Sequence, residues 1–154
     1  MTEAPKRTFE QPLALFASGS RTLDYKHVPL IKSMLLEQRG EVWFQSPVII
    51  HGAGRGVDGA PGFDKLVDIH ARASEYRVLP IPALWEIQGK VGGPIRNRLC
   101  AEILLAHARA GYWPVFRGFS TGGPGTENAY KVVLDVFEKA GRYVDAQKID
   151  VPPT

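Results

Sequence analysis

V-I-I-H-G-A-G-R-G-V-D, residues Val48 to Asp58, is the stretch on which the fold turns. A short apolar run ends in His51 and breaks into a loop holding Gly52, Gly54 and Gly56, with Arg55 and Asp58 as its only charges. A buried strand reads this way when it enters a turn whose backbone must come close to something. Glycine permits positive φ and presents bare amide groups, so such a loop can wrap an anion. One loop of this kind is a weak signal, and its meaning depends on what the rest of the chain sets beside it.

Working outward, the flanking segments alternate between strand and helix patterns. Pro12 to Ser18 (P-L-A-L-F-A-S) is apolar without alternation, as expected of a strand covered on both faces. A helix is predicted from near His27, where Pro29 fits a first turn, through Val28, Ile31, Met34 and Leu35 to a close at Gly40. Beyond the glycine loop, Pro61 can open a second helix with Phe63, Leu66, Val67 and His70 or Ala73 on one face. Arg77 to Ile81 reads as a third strand. A third helix is expected from Pro94 to Gly111 with Ile95, Leu99, Ile103 and Leu104 inward. Trp113 to Phe116 reads as a fourth strand, and a fourth helix carries Ala129, Val132, Val133, Val136, Phe137 and Ala140, with Gly141 as its cap. Arg142 to Ala146 is the expected fifth strand.

This β-α-β-α-β-α-β-α-β order predicts an α/β fold: three layers, doubly wound and Rossmann-like, around a mainly parallel five-stranded sheet. A single domain is expected over residues 12–147, with a flexible lead-in over 1–11 and a tail over 148–154. The 154 residues suffice for a sizeable core. Nineteen Lys and Arg against 16 Asp and Glu leave a charge of +3, which permits an anionic ligand without arguing for nucleic acid. The single cysteine, Cys100, lies among apolar residues and reads as a small core residue rather than a nucleophile. No run is apolar enough to span a bilayer and the first residues lack an export signal, so a cytoplasmic location is expected.

Four loops then fall at the same edge. Gly19-Ser20-Arg21 follows the first strand, His51 to Asp58 the second, and Ser120 to Glu127 (S-T-G-G-P-G-T-E) the fourth. Gly92-Gly93-Pro94-Ile95-Arg96-Asn97 opens the third helix. In a parallel sheet, loops after strands gather at the carboxyl edge, where helix N-termini offer unpaired N–H groups to an anion. Arginine's planar fork suits phosphate, which makes Arg21, Arg55 and Arg96 the first ligand contacts. Each loop taken singly is also readable as an ordinary turn, and each arginine as a surface salt-bridge partner.

Together these motifs resemble the YspA-like branch of the SLOG superfamily, Rossmann-like proteins related to LOG and DprA. The carriers are Gly19-Ser20-Arg21 with Asp24 behind it, His51-Gly52-Ala53-Gly54-Arg55-Gly56-Val57-Asp58, Trp85 with Gly89 and Gly92-Gly93-Pro94-Ile95-Arg96-Asn97, and the turn from Ser120 to Thr126. The resemblance runs from about residue 13 to 146. It implies binding of a nucleotide or nucleotide-derived molecule, often by a homodimer, and a part in nucleotide signalling during bacterial and phage conflict. LOG-type relatives cleave a base from a nucleoside monophosphate with a glutamate three residues after the G-T threonine. That position is Ala129 here, Glu127 lies one residue after Thr126, and Leu84 replaces the aspartate usual before the tryptophan.

The expected ligand contacts are therefore Gly19, Ser20, Arg21, His51, Gly52, Gly54, Arg55, Gly56, Gly93, Arg96, Asn97, Ser120, Thr121, Gly122, Gly123, Gly125 and Thr126, with Trp85 stacking on a base or packing locally. Glu127 and Asp58 are the candidate catalytic carboxylates. Each also has a structural role open to it: Asp58 as a helix cap or a partner of Arg55, Glu127 as an acid favoured at a helix start. His51 either orients a ligand or bonds loop backbone. The four histidines show no metal-ligand spacing, and no metal or other cofactor is expected. The leading expectation is a sensor or sequestering protein for a nucleotide-derived molecule such as ADP-ribose. A hydrolase acting on such a molecule comes second. Single-stranded DNA binding comes third, because no basic stripe interleaved with aromatics is present.

Overall fold

Leu13, Leu15 and Ala17 point to one side of the first strand while Ala14 and Phe16 point to the other, and all five are buried. A strand covered on both faces has to lie in the interior of a sheet. The computed structural model describes residues 5–8, 11–39 and 47–152. In it β1 (Leu13–Gly19), β2 (Val48–His51), β3 (Arg77–Pro80), β4 (Trp113–Ser120) and β5 (Asp145–Asp150) form one parallel sheet in the order β3-β2-β1-β4-β5. The helices are α1 (Val28–Arg39), α2 (Phe63–Ala73), α3 (Trp85–Gln88), α4 (Gly92–Arg109) and α5 (Pro124–Lys139).

Two cores flank the sheet. Leu15, Ile49 and Val115 meet Ile31 and Leu35 of α1 and Phe63 and Val67 of α2. Phe16, Ile50 and Phe116 meet Cys100 and Leu104 of α4 and Val133 and Phe137 of α5. Fully burying side chains of this size contributes about 1.5–3 kcal/mol each, so the two layers of helices are held by the sheet's own alternation. This is the doubly wound three-layer α/β fold that the sequence predicts. Its strand order reverses between β1 and β4, the place where such sheets open a crevice.

Several element boundaries differ from expectation. The first helix starts at Val28 after a 3₁₀ turn at Tyr25–His27, in which Asp24 and His27 form a capping box; its expected close at Gly40 lies outside the described residues. The second helix starts at Phe63, and its inner face closes on Ala71 rather than His70 or Ala73. The third long helix begins at Gly92, with Ile95 and Leu99 45% and 46% exposed instead of inward. Its buried face runs through Asn97, Cys100, Ala101, Leu104, Leu105 and Ala108. A further short helix, α3, precedes it. β4 continues to Ser120, and β5 covers Asp145–Asp150 rather than Arg142 to Ala146, past the point where a tail was expected.

β4 also carries a buried arginine. Arg117 is 8% exposed and donates through Nη1 to the Phe116 and Asp145 carbonyls, and through both terminal nitrogens to the Asp145 carboxylate at 3.1 and 3.2 Å. The outer strand β5 is thereby tied to the sheet by an ion pair as well as by its ladder.

Candidate functional site

At the reversal point the ends of β1 and β4 are joined by hydroxyl and amide groups. Ser20 N–H donates to the Phe119 carbonyl at 2.9 Å, and Thr121 N–H donates to Ser20 Oγ at 2.9 Å. Thr22 Oγ1 and Thr121 Oγ1 lie 2.8 Å apart, and Gly122 N–H donates to Ser120 Oγ at 3.0 Å. Gly122, at φ 107, turns the chain into α5, a left-handed conformation that suits glycine.

α5 begins with Gly123 as N-cap and Pro124 in its first turn, and no side chain caps it. First-turn N–H groups have no intrahelical acceptor, and they carry the positive end of the helix dipole. Space around Gly123 and Gly125 is open, since a Cβ on either would meet nothing within 4 Å. Thr126, 2% exposed, has a buried Oγ1 with no hydrogen-bond partner among the described residues. Buried hydroxyls are normally paired, so this one is an exception with a cost.

The start of α4 is fastened to the start of α5. Asn97, 3% exposed, donates from Nδ2 to the Gly125 carbonyl at 3.3 Å and to Asn128 Oδ1 at 3.0 Å. Its Oδ1 accepts from Arg96 Nε at 2.9 Å, and Arg96 Nη1 donates to the Gly52 carbonyl. The Trp85 indole lies against Gly93, where a Cβ would come 2.8 Å from the ring, and stays 55% exposed.

The loop after β2 is closed on its own supports. Ala53 N–H donates to His51 Nδ1 at 3.0 Å, which leaves the proton on Nε2 facing Asp68 Oδ2 at 2.7 Å. Gly54 N–H donates to Asp64 Oδ2 at 2.7 Å. Burial pushes the Asp64 carboxyl up, against the opposing pull of the Gly54 N–H, His51 and Arg96. Burial also acts to raise Asp68, but its hydrogen bonds from Arg72 and His51 prevail and hold it below its ordinary value. A hollow of about 280 Å³ opens beside this loop, lined by His51, Ala53, Gly54, Lys65, Asp68 and Pro80. Burial pushes the Cys100 thiol up to about 12, so it stays protonated.

The residues singled out in the sequence thus divide. Ser20, Thr121, Gly122, Gly123, Gly125 and Thr126 stand together at the crevice, with Ser120 buried beneath them and Gly19 packed on the Phe63 ring. His51, Gly52, Gly54, Arg96 and Asn97 are engaged with one another's loops. Arg21 and Arg55 are exposed and make no hydrogen bond or ion pair among the described residues. Asp58, at φ 54, is exposed; it neither caps α2, whose N-cap is Gly62, nor pairs with Arg55. Glu127 is bonded through Oε1 to Lys148 Nζ on β5, and that bond raises the lysine. Asp64 and Asp68 were missed by sequence reading; the available signal was the spacing of Asp64, Asp68 and Arg72 four apart on α2.

No protein-family model matches the chain, and no curated protein matches it. Among solved structures, the C-terminal domain of a hydrogenase from Pyrococcus furiosus is similar at 15% identity and a TM-score of 0.47, over 96% of this chain and 100% of that one. The fold is Rossmann-like α/β. No described helix is long and apolar enough to cross a membrane.

Proposed function

We propose that this chain is a SLOG-type module that binds a nucleotide or nucleotide-derived molecule at the carboxyl edge of the sheet, with a phosphate on the N-terminus of α5. The observation that carries the reading is the uncapped α5 N-terminus at the β1–β4 crevice, where the Thr126 hydroxyl is buried without a partner. A phosphate oxygen is a strong acceptor, and it would supply what both the first-turn N–H groups and this hydroxyl lack. Exposed Arg21 and Arg55 supply further cationic contacts. Binding without turnover, as in a cytoplasmic sensor of a signalling nucleotide, fits the state of the two catalytic candidates. Glu127 is held by Lys148, and Asp58 stands out in solvent.

A second reading rests on Asp64, whose raised carboxyl beneath the glycine loop resembles a general acid for N-glycosidic cleavage. Calorimetric titration with nucleoside mono- and diphosphates and ADP-ribose, followed by mass spectrometry of the mixtures, separates the two. Recovery of unchanged ligand is expected. Turnover abolished by Asp64→Asn or Glu127→Gln would overturn the binding-only reading.

Thr126→Val gives a sharper check because it keeps shape and removes the unpaired hydroxyl. The empty protein is expected to gain about 1 kcal/mol, while nucleotide affinity falls at least about tenfold, near the 1.4 kcal/mol of one charge-assisted bond. An unchanged affinity would remove Thr126 from the site.

A further inference from the structure

α5 opens on Gly123-Pro124-Gly125-Thr126, a poor start for a helix. Glycine is costly in helical geometry, proline brings no N–H, and no side chain caps the turn. Past the cap, the first-turn donors are the N–H groups of Gly125 and Thr126. Helix ends fray, and a frayed turn would aim those donors at nothing in particular.

The grip that holds the turn comes from α4. Asn97, 3% exposed, gives one Nδ2 hydrogen to the Gly125 carbonyl and the other to Asn128 Oδ1, while its own Oδ1 accepts from Arg96 Nε. The network admits one orientation of this amide, because the reverse would set oxygen against two oxygens and N–H against N–H. Arg96 is held in turn by the Gly52 carbonyl, so the closed loop after β2 stands behind the whole set of contacts.

The Gly125 carbonyl and the Thr126 N–H belong to one planar peptide unit and point in opposite directions. Fixing the oxygen therefore fixes the direction of the N–H, and a hydrogen bond accepted by the oxygen strengthens that N–H as a donor. The buried Thr126 hydroxyl that lacks a partner among the described residues hangs from the same unit. Asparagine suits the place, since an aspartate would offer only acceptors to two oxygens and an apolar side chain would offer no donor.

We infer that Asn97 is a positioning residue for phosphate. Buried as it is, it does not itself touch the ligand; it aims the Thr126 N–H through the Gly125–Thr126 peptide. This rests on the nucleotide-binding reading above. The peptide before it, which joins Pro124 to Gly125, is not held by Asn97, so the Gly125 N–H serves as an internal control.

Calorimetry and amide NMR with ADP-ribose as the probe test the role. In the wild-type protein the Thr126 and Gly125 amide signals are both expected to move on binding. Asn97→Asp keeps the shape, removes both donated bonds and places its charge beside Arg96, so circular dichroism is expected to be retained. Its affinity for ADP-ribose is expected to fall at least about tenfold, the worth of one charge-assisted bond. The ligand-induced shift of Thr126 is expected to shrink while that of Gly125 persists. Asn128→Ala removes the other arm of the clip; it is expected to lower the melting temperature and to leave affinity within about twofold, as substitutions away from a site do. Equal losses of affinity from Asn97→Asp and Asn128→Ala, or Thr126 and Gly125 shifts that shrink together, would make Asn97 a merely structural fastening and overturn the inference. A wild-type Thr126 amide that ignores bound ADP-ribose would do the same without any variant. Wild-type binding matched by Asn97→Asp removes the role of Asn97 alone, whereas a wild-type protein that takes neither ADP-ribose nor a nucleoside phosphate overturns the nucleotide-binding reading and this inference with it.

Discussion

Two glycine loops lie along one sheet edge, and they use glycine for opposite reasons. In the loop after β2, glycine makes room for the protein's own groups. A Cβ on Gly52 would overlap the Arg96 guanidinium, one on Gly54 would sit 2.8 Å from Asp64 Oδ2, and one on Gly56 would overlap the Ala60 carbonyl and lie 2.7 Å from Gly62 N. In the loop after β4, Cβ atoms on Gly123 and Gly125 would enter empty space. The first loop has spent its donors on His51, Asp64 and its neighbours. The second gives its Thr121 and Gly122 N–H groups to Ser20 and Ser120 and leaves the first turn of α5 without a side-chain cap. A glycine-rich turn in a sequence therefore reports close approach, and only the surroundings tell whether the approaching group is internal or a ligand.

The largest effect should come from breaking the closed loop. Gly56→Ala forces backbone against backbone and is expected to lower stability by about 3 kcal/mol, read from denaturant midpoints; a loss below the scatter of surface substitutions would show that the loop can yield. Gly125→Ala should do the reverse. Its stability is expected to stay within about 0.5 kcal/mol of the parent, while nucleotide affinity drops because a methyl group enters the space assigned to phosphate. If the two alanines affected stability alike, the contrast between the loops would collapse.

The two carboxylates under the closed loop sharpen the contrast through pH. Asp68 is lowered in the folded protein, so its contribution is present above the ordinary carboxylate value and is lost as pH falls through the folded value. Asp64 is raised, so the folded state binds the extra proton and stability declines as pH rises between the ordinary and the raised values. Asp68→Asn should flatten the acid-side loss, at a cost of about 1 kcal/mol at neutral pH. Asp64→Asn should remove the decline and leave neutral stability no lower. Melting temperatures followed from acid to neutral pH measure both, and a parallel response of the two variants would refute the opposite shifts.

Much of the architecture was legible because it rests on patterns that burial enforces. Pro12 to Ser18 is apolar throughout because β1 is covered on both sides, and α5 shows its stripe because only one side of it is covered. The failures have physical causes as well. Ile95 and Leu99 read as core because sequence carries hydrophobicity, not direction, and an apolar residue facing out looks the same as one facing in. β5 (D-A-Q-K-I-D) was misplaced because a half-exposed edge strand needs few apolar residues, and β4 was cut short because Arg117 and Gly118 interrupt its apolar run while staying buried. At the site, the sequence could place four loops on one edge. It had no means of showing that Arg96 is turned to the Gly52 carbonyl, that Lys148 takes up Glu127, or that Asp64 and Asp68 anchor the loop from a helix.

Arg117 has a consequence for how the sheet is assembled. A parallel edge strand can slide along its neighbour by two residues and still present the same face. A slid β5 would leave a guanidinium enclosed in the sheet with its carboxylate carried out of reach, and a buried charge deprived of its partner is costly by about 3–5 kcal/mol. The ion pair between Arg117 and Asp145 thus works as a register key. It makes one alignment of the last strand acceptable, and with it fixes where Lys148 stands relative to the crevice.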